Sequence, residues 1–83
     1  PPEAKIRYST LGQILVDARG LTLYASKSDA PGKAPKCEGR CLADWAPLAA
    51  PWAAQASGDW SIVTRKDDSR QWAFRGQPLY SRP

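Results

Sequence analysis

Histidine and methionine are absent from this chain of 83 residues. Without them there is no Ser–His or Cys–His nucleophile pair, no His-ligated zinc and neither of the axial ligands most usual for haem. Cysteine occurs twice and phenylalanine once. The longest apolar stretches, such as Leu48-Ala49-Ala50 with Trp52-Ala53-Ala54, are broken by Pro51 and fall far short of the roughly 20 residues that cross a bilayer. A membrane-spanning chain is therefore not expected. No charged n-region followed by an apolar h-region opens the sequence, so Pro1-Pro2-Glu3 reads as a mature or trimmed start.

What remains is small and ordinary in composition. The length suits one domain, and a core of this size offsets the entropy of ordering the chain with only a few kcal/mol to spare, so a covalent staple is expected. A hydrophobic share of 42% and a charged share of 24% are those of a folding chain, despite eight prolines and six glycines. Twelve Lys and Arg against eight Asp and Glu give a net charge of +4. The basic residues are scattered from Lys5 to Arg82, and the pair Arg65-Lys66 is followed at once by Asp67-Asp68. Such mixing reads as a solvated face; a nucleic-acid partner would need a clustered basic stripe with interleaved aromatics.

Alternation sets the fold class. Ile6-Arg7-Tyr8 alternates, Leu11-Gly12-Gln13 can turn it, and Ile14-Leu15-Val16 is a β-branched run. That run ends at Asp17-Ala18-Arg19-Gly20, where Asp caps turn amides and Gly supplies a positive φ before Leu21-Thr22-Leu23-Tyr24 resumes. The C-terminal third has the same plan: Ser61-Ile62-Val63-Thr64-Arg65, a polar turn at Lys66-Asp67-Asp68-Ser69, Gln71-Trp72-Ala73-Phe74, a break at Gly76, and Leu79-Tyr80 after Pro78. Arg19-Gly20-Leu21-Thr22-Leu23-Tyr24 and Arg75-Gly76-Gln77-Pro78-Leu79-Tyr80 share Arg, Gly, Leu and Tyr in order, which suggests an internal duplication over about 6–25 and 62–80. The expectation is a mostly β single domain, 1–83, of two related antiparallel three-stranded meanders packed as a barrel or sandwich.

The connector, about 26–59, is too long for a plain loop. Cys37 and Cys41 form a C-x-x-x-C pair within it. Two thiols do not complete a structural zinc site, and the spacing is neither thioredoxin-like nor that of c-type haem attachment. A loop or one helical turn brings such a pair to about 6 Å between Cα atoms, within disulfide range; a redox-cycling pair and soft-metal binding are the other readings. Cys41 to Trp45 suits one or two helical turns stopped by Pro47, and Ala49 to Gln55 adds another turn or runs irregularly. Trp45, Trp52, Trp60 and Trp72 supply bulk for a poor core, each able to bury roughly 150–250 Å². Trp45 and Trp72 are the expected core pair. Trp52 and Trp60, flanked by Pro, Ala, Gly and Asp, are the candidates for exposed binding surfaces.

The order of a hydrophobic strand, a D-x-x-G turn, T-L-Y, a nearby Asp, C-x-x-x-C, W-x-P-L, a Gln-aromatic strand and G-x-P-L-Y resembles the secreted-repeat family of predicted bacterial lipoproteins, marked by a Tyr-x-aromatic-x-x-Asp motif. The resemblance runs from Gly12 to Tyr80. By it, Tyr24 is the motif tyrosine and Asp29 its aspartate, with Ser26 where an aromatic is usual. Cys37 and Cys41 match the family's cysteine pair. Trp45, Pro47 and Leu48 match its tryptophan–proline–leucine segment, with Ala46 in place of a common second proline, while Gly76, Pro78, Leu79 and Tyr80 match the later strand. The sequence stops at Pro83, before the place of a second motif Asp, and reads as part of a longer protein. The resemblance implies an exported envelope protein, periplasmic or extracellular, anchored where needed by a lipid or fused segment outside this chain, and no settled activity.

These readings point to a non-catalytic binding or scaffolding module with no cofactor and no resident metal, whose partner is an envelope protein or a small ligand. The alternative is an accessory role in periplasmic electron transfer or copper handling through Cys37 and Cys41, because soft thiolates suit copper(I). A hydrolase using Asp17, Asp29 and Asp44 in pairs is disfavoured: Asp17 is explained as a turn cap and Asp44 as a solvated helix residue. Asp29 is expected to be a hydrogen-bond acceptor tying the strand end to the cysteine loop, so that Asp29→Asn costs about 1 kcal/mol.

Overall fold

The computed structural model describes residues 2–9 and 12–83. Among them the elements run β1 (Lys5–Ser9), β2 (Gly12–Val16), β3 (Leu23–Ala25), α1 (Cys41–Asp44), β4 (Ala46–Pro47), β5 (Trp60–Thr64), β6 (Arg70–Phe74) and β7 (Gln77–Ser81). The chain is mostly β, with one short helix. β1 and β2 form an antiparallel ribbon from Lys5 opposite Val16 to Ser9 opposite Gly12; the turn expected at Leu11-Gly12-Gln13 lies in part at Leu11, outside the described residues.

The turn between β2 and β3 forms for the reasons its residues suggest. The carboxylate Oδ1 of Asp17 accepts the backbone N–H groups of Arg19 and Leu21, both at 2.9 Å, and Gly20 takes φ of 86°. The backbone N–H of Asp17 donates to Leu21 O at 2.8 Å, and Val16 bridges to Thr22. Burial works against ionisation of Asp17, yet the Leu21 and Arg19 amides, helped by the Arg19 guanidinium, hold its carboxyl below the ordinary 3.8. A depressed folded-state pKa contributes stability that is present above the unfolded value and lost as pH falls through the folded one. Asp17→Ala is therefore expected to cost about 1 kcal/mol at neutral pH, and the gap between the variant's and the parent's melting temperatures should close as the pH is taken below 3.8. A gap that persists in acid would show that the side chain acts by packing instead.

Beyond Thr22 the chain departs from the expected three-stranded meander. β3 pairs with β7 rather than continuing with β2, setting Leu23 opposite Ser81, Tyr24 opposite Tyr80 and Ala25 opposite Leu79. The result is a two-stranded ribbon beside a five-stranded antiparallel sheet ordered β3-β7-β6-β5, with β4 added against β7. It is not a closed barrel, and the expectation of one is corrected: Leu23 is buried, and its strand completes the free side of β7, where the ladder it needs is available.

The β6–β7 hairpin turns on Arg75-Gly76, with φ of 51° and 83°, the pair of positive values that a two-residue hairpin of matching twist requires. Arg75 meets that conformation while its backbone N–H donates to Asp59 O at 2.7 Å. Gly76 is required twice over, because a Cβ there would also stand 3.3 Å from the Cβ of Pro31. The β6–β7 ladder then stops at Ala73 opposite Pro78, since proline has no N–H to continue it. The connector enters the opening that results. Leu48 N–H donates to Leu79 O at 2.9 Å on the β7 side, and Trp72 N–H to Leu48 O at 2.8 Å on the β6 side. Among the described side chains the buried apolar ones are Val16, Leu23, Ala50, Trp72, Ala73, Leu79 and Tyr80.

Candidate functional site

The connector is the part of the molecule that carries unusual chemistry, and buried polar side chains hold it on the sheet. Cys37 and Cys41 are joined by a disulfide with 5.3 Å between Cα atoms. It spans a very short loop, for which chain entropy gives about 2 kcal/mol. The helix begins at Cys41 and ends at Asp44; Trp45 is already extended, with φ of −126° and ψ of 129°. A proline at 47 disfavours helix at Ala46, so the chain passes directly into β4. The segment after Ala49 is irregular, with a turn closed by Ala54 N–H to Pro51 O at 2.9 Å.

Two ties bind the cysteine loop to the sheet. Asp29 is buried; its Oδ1 accepts the backbone N–H of Lys36 at 2.8 Å and its Oδ2 accepts the hydroxyl of Tyr80 at 2.8 Å. The partner is thus the tyrosine of β7 rather than Tyr24, the nearer one in sequence. The second tie is Arg65, whose guanidinium donates to Gln71 Oε1 at 2.6 Å and to the carbonyl of Cys37. Gln71 donates onward to Leu79 O at 2.7 Å, across the gap that the connector fills. Burial, followed by the hydrogen bond to Asp29, raises the Tyr80 hydroxyl above its ordinary 10.0, with Arg65 and Gln71 pulling the other way.

Above the disulfide the strand ends and the connector enclose a hollow of about 210 Å³ lined by Tyr24, Ser26, Cys37, Cys41, Trp45 and Tyr80 among others. Tyr24 and Trp45 meet edge to face with ring centroids 5.3 Å apart, and the Arg82 guanidinium lies 5.3 Å from the Trp45 ring centre. Most of the residues singled out in the sequence gather here or next to it. Pro47 and Leu48 form a wedge beside β7, where Leu48 meets Leu79 of that strand, and Gly76 and Pro78 shape its hairpin. The tryptophans divide differently from the expectation. Trp72 is buried at 4% exposure, Trp45 is half-buried, and Trp60 packs into an edge-to-face cluster with Trp72 and Phe74 at 6.1 and 5.0 Å, so it is not an exposed platform. Trp52 alone of the four stands out, at 89% exposure.

The model of a family described as a secreted repeat of unknown function matches residues 5–49. The chain belongs to this family. No curated protein and no solved structure matches it significantly. The matched stretch of this secreted repeat holds Tyr24, Asp29, both cysteines and the Trp45-Pro47-Leu48 segment, but their partners lie beyond it: Tyr80 for Asp29, Arg65 for the Cys37 carbonyl, and β7 for β3. Secretion agrees with the disulfide, which persists in oxidising compartments.

Arg65 and Arg70 were not among the candidate residues, and Gln71 entered only as part of the Gln-aromatic strand. Arg65 in particular, expected on a solvated face with Lys66, is 6% exposed. No local signal distinguishes it, because alternation carried one residue past β5 says only that it shares a face with Val63. Among the described residues, no group of three or more His, Cys, Asp or Glu is placed to hold a metal ion.

Proposed function

We propose that this secreted repeat is a non-catalytic module of the cell envelope that binds a protein partner or a small ligand, and that Trp52 is a principal contact. The observation that carries the reading is the way Trp52 is held. Its indole is left in water at 89% exposure, while the Arg70 guanidinium gathers three carbonyls of the same loop: Pro51 O at 3.0 Å, Trp52 O, and Ala54 O at 2.9 Å. A large apolar ring exposed on a braced loop loses little conformational freedom on binding, and tryptophan is among the residues that dominate interface energetics. Beside it, Pro51 and Ala54 join Leu48, Trp72, Asp17 and Arg19 around an open groove of about 670 Å³, a surface on which a partner anchored by the indole has room to lie. The basic excess of +4 suits weakly anionic partners.

The proposed location is the periplasm or the extracellular face, with a lipid or fused segment outside this chain as the anchor. Electron transfer or copper handling through Cys37 and Cys41 is the weaker reading, because copper(I) binding needs both thiolates and the two sulfurs are bonded to each other.

Tryptophan emission of the oxidised protein, titrated with purified envelope glycans and envelope proteins, tests the proposal. A saturable change in emission is expected, lost in Trp52→Ala. That variant should keep its melting temperature, since exposed substitutions usually stay within about 0.5 kcal/mol. If Trp52→Ala binds every tested partner as the parent does, the indole is not a contact.

A further inference from the structure

We propose that the hollow over the Cys37–Cys41 bridge is a binding site for a single uncharged aromatic ring, separate from Trp52 and independent of its role. Size sets the first limit. A dry cavity of about 150 Å³ is known to accept benzene, so the 210 Å³ here has room for one six-membered ring with a small substituent.

Chemistry sets the second limit. The lining consists of the rings of Tyr24, Trp45 and Tyr80, the disulfide sulfurs, and the small side chains of Ala25 and Ser26. No carboxylate, ammonium or guanidinium is among them. The Tyr80 hydroxyl is committed to Asp29, and the Ser26 hydroxyl oxygen already accepts the Ser28 N–H at 3.1 Å. The lining holds no charged partner for an ion, so an ionised ligand entering here gives up its water for hydroxyl contacts at most. A neutral ring does better: the edge-to-face Tyr24–Trp45 pair offers it the same geometry, and sulfur contacts aromatic rings favourably. Three rings around a hollow also suggest a cage for a quaternary ammonium ion. Arg82 argues against that occupant, because its guanidinium already lies over Trp45 at 5.3 Å and would repel a second cation.

The walls are preorganised. Tyr80 is held through its hydroxyl, the Tyr24 and Trp45 rings by their edge-to-face contact on a paired backbone, and the floor by the covalent bridge. None of these restraints needs the ligand in place, so the hollow has no need to collapse when empty. Tyr24, still 45% exposed, is the wall that an incoming ring would cover.

The test is a titration of the oxidised full chain with phenol, followed by backbone amide chemical shifts, with cyclohexanol and tetramethylammonium as comparisons. Saturable shifts centred on the lining residues, Tyr24, Ala25, Ser26, Cys37, Cys41, Trp45 and Tyr80, are expected with phenol, stronger than with cyclohexanol and missing with tetramethylammonium. Tyr24→Ala, which removes an exposed wall and should leave the fold intact, is expected to weaken phenol binding roughly threefold to tenfold. Ser26→Phe should fill the space and abolish binding, and Trp52→Ala should leave it unchanged. N-acetyltyrosinamide binding more tightly than phenol would identify the natural occupant as a side chain of a protein partner; the reverse order would identify a free small molecule. No saturable shift with either, or a preference for tetramethylammonium, overturns the proposal.

Discussion

Arg65→Met is expected to lower the unfolding free energy by about 2–4 kcal/mol, a large share of the stability of a domain this small. Methionine keeps most of the apolar stem, so the loss reports on the guanidinium. That group is buried and supplies the charge-assisted hydrogen bonds to Gln71 Oε1 and the Cys37 carbonyl. Without it the buried Gln71 oxygen and the part-buried Cys37 carbonyl lose their donor, and an orphaned buried acceptor costs about 1–3 kcal/mol. Arg65→Lys keeps the charge but cannot reproduce the planar fork that reaches both acceptors, so it should fall between the two. Urea unfolding followed by tryptophan emission measures all three proteins. A loss below about 1 kcal/mol for Arg65→Met would mean that water serves these acceptors well and that the cysteine loop holds itself in place.

The second large effect belongs to the buried pair of Asp29 and Tyr80. Asp29→Ala should cost about 2–4 kcal/mol, because the Tyr80 hydroxyl and the Lys36 N–H both lose their acceptor in a buried setting. Asp29→Asn retains one carbonyl oxygen and should cost about 1 kcal/mol. An Ala variant no worse than the Asn variant would refute the two-acceptor role. The pair also sets an alkaline limit. The folded-state pKa of Tyr80 is raised, first by burial and then by Asp29, so the folded chain favours the neutral phenol. Its contribution is complete below the ordinary value of 10.0 and is lost as pH rises through the higher folded value. Tyr80→Phe is expected to be less stable at neutral pH and to show a shallower loss of melting temperature above pH 10.0. An unchanged alkaline slope would place the titration elsewhere.

Both predictions concern polar groups, and the reason lies in the size of the core. A chain of 83 residues has little hydrophobic surplus, and among the described side chains two of the seven buried apolar ones are alanines. The long connector is correspondingly held by a covalent bridge and by buried hydrogen bonds reaching from β5, β6 and β7.

Local chemistry made several of these features readable in advance. The Asp17-to-Gly20 turn depends on a carboxylate two and four residues from the amides it caps, and the α1 stop depends on Pro47 close by. The C-x-x-x-C bridge needs only a single turn of chain. Trp52, between Pro51 and two alanines, lacked neighbours with which to bury itself. The partners of Asp29, Arg65 and Gln71 were not readable in the same way, since they lie far along the chain and nothing in period-two alternation names them. The same holds for β3. Its sequence continues β2 smoothly, and its choice of β7 depends on an edge that exists only once the C-terminal hairpin has formed.

The amino-acid order by itself pointed to every strand but β4, to the Asp17–Gly20 turn, to a disulfide as the expected state of the cysteine pair and to a secreted family, because each rests on residues within a few positions of one another or on a recognisable order of such pieces. Only the tertiary structure decided which strand β3 joins, that Arg65 is buried, that Asp29 answers to Tyr80, and that three rings and a disulfide surround a hollow. Those outcomes depend on contacts between distant segments, whose free energy is set by shape and desolvation after the chain has come together.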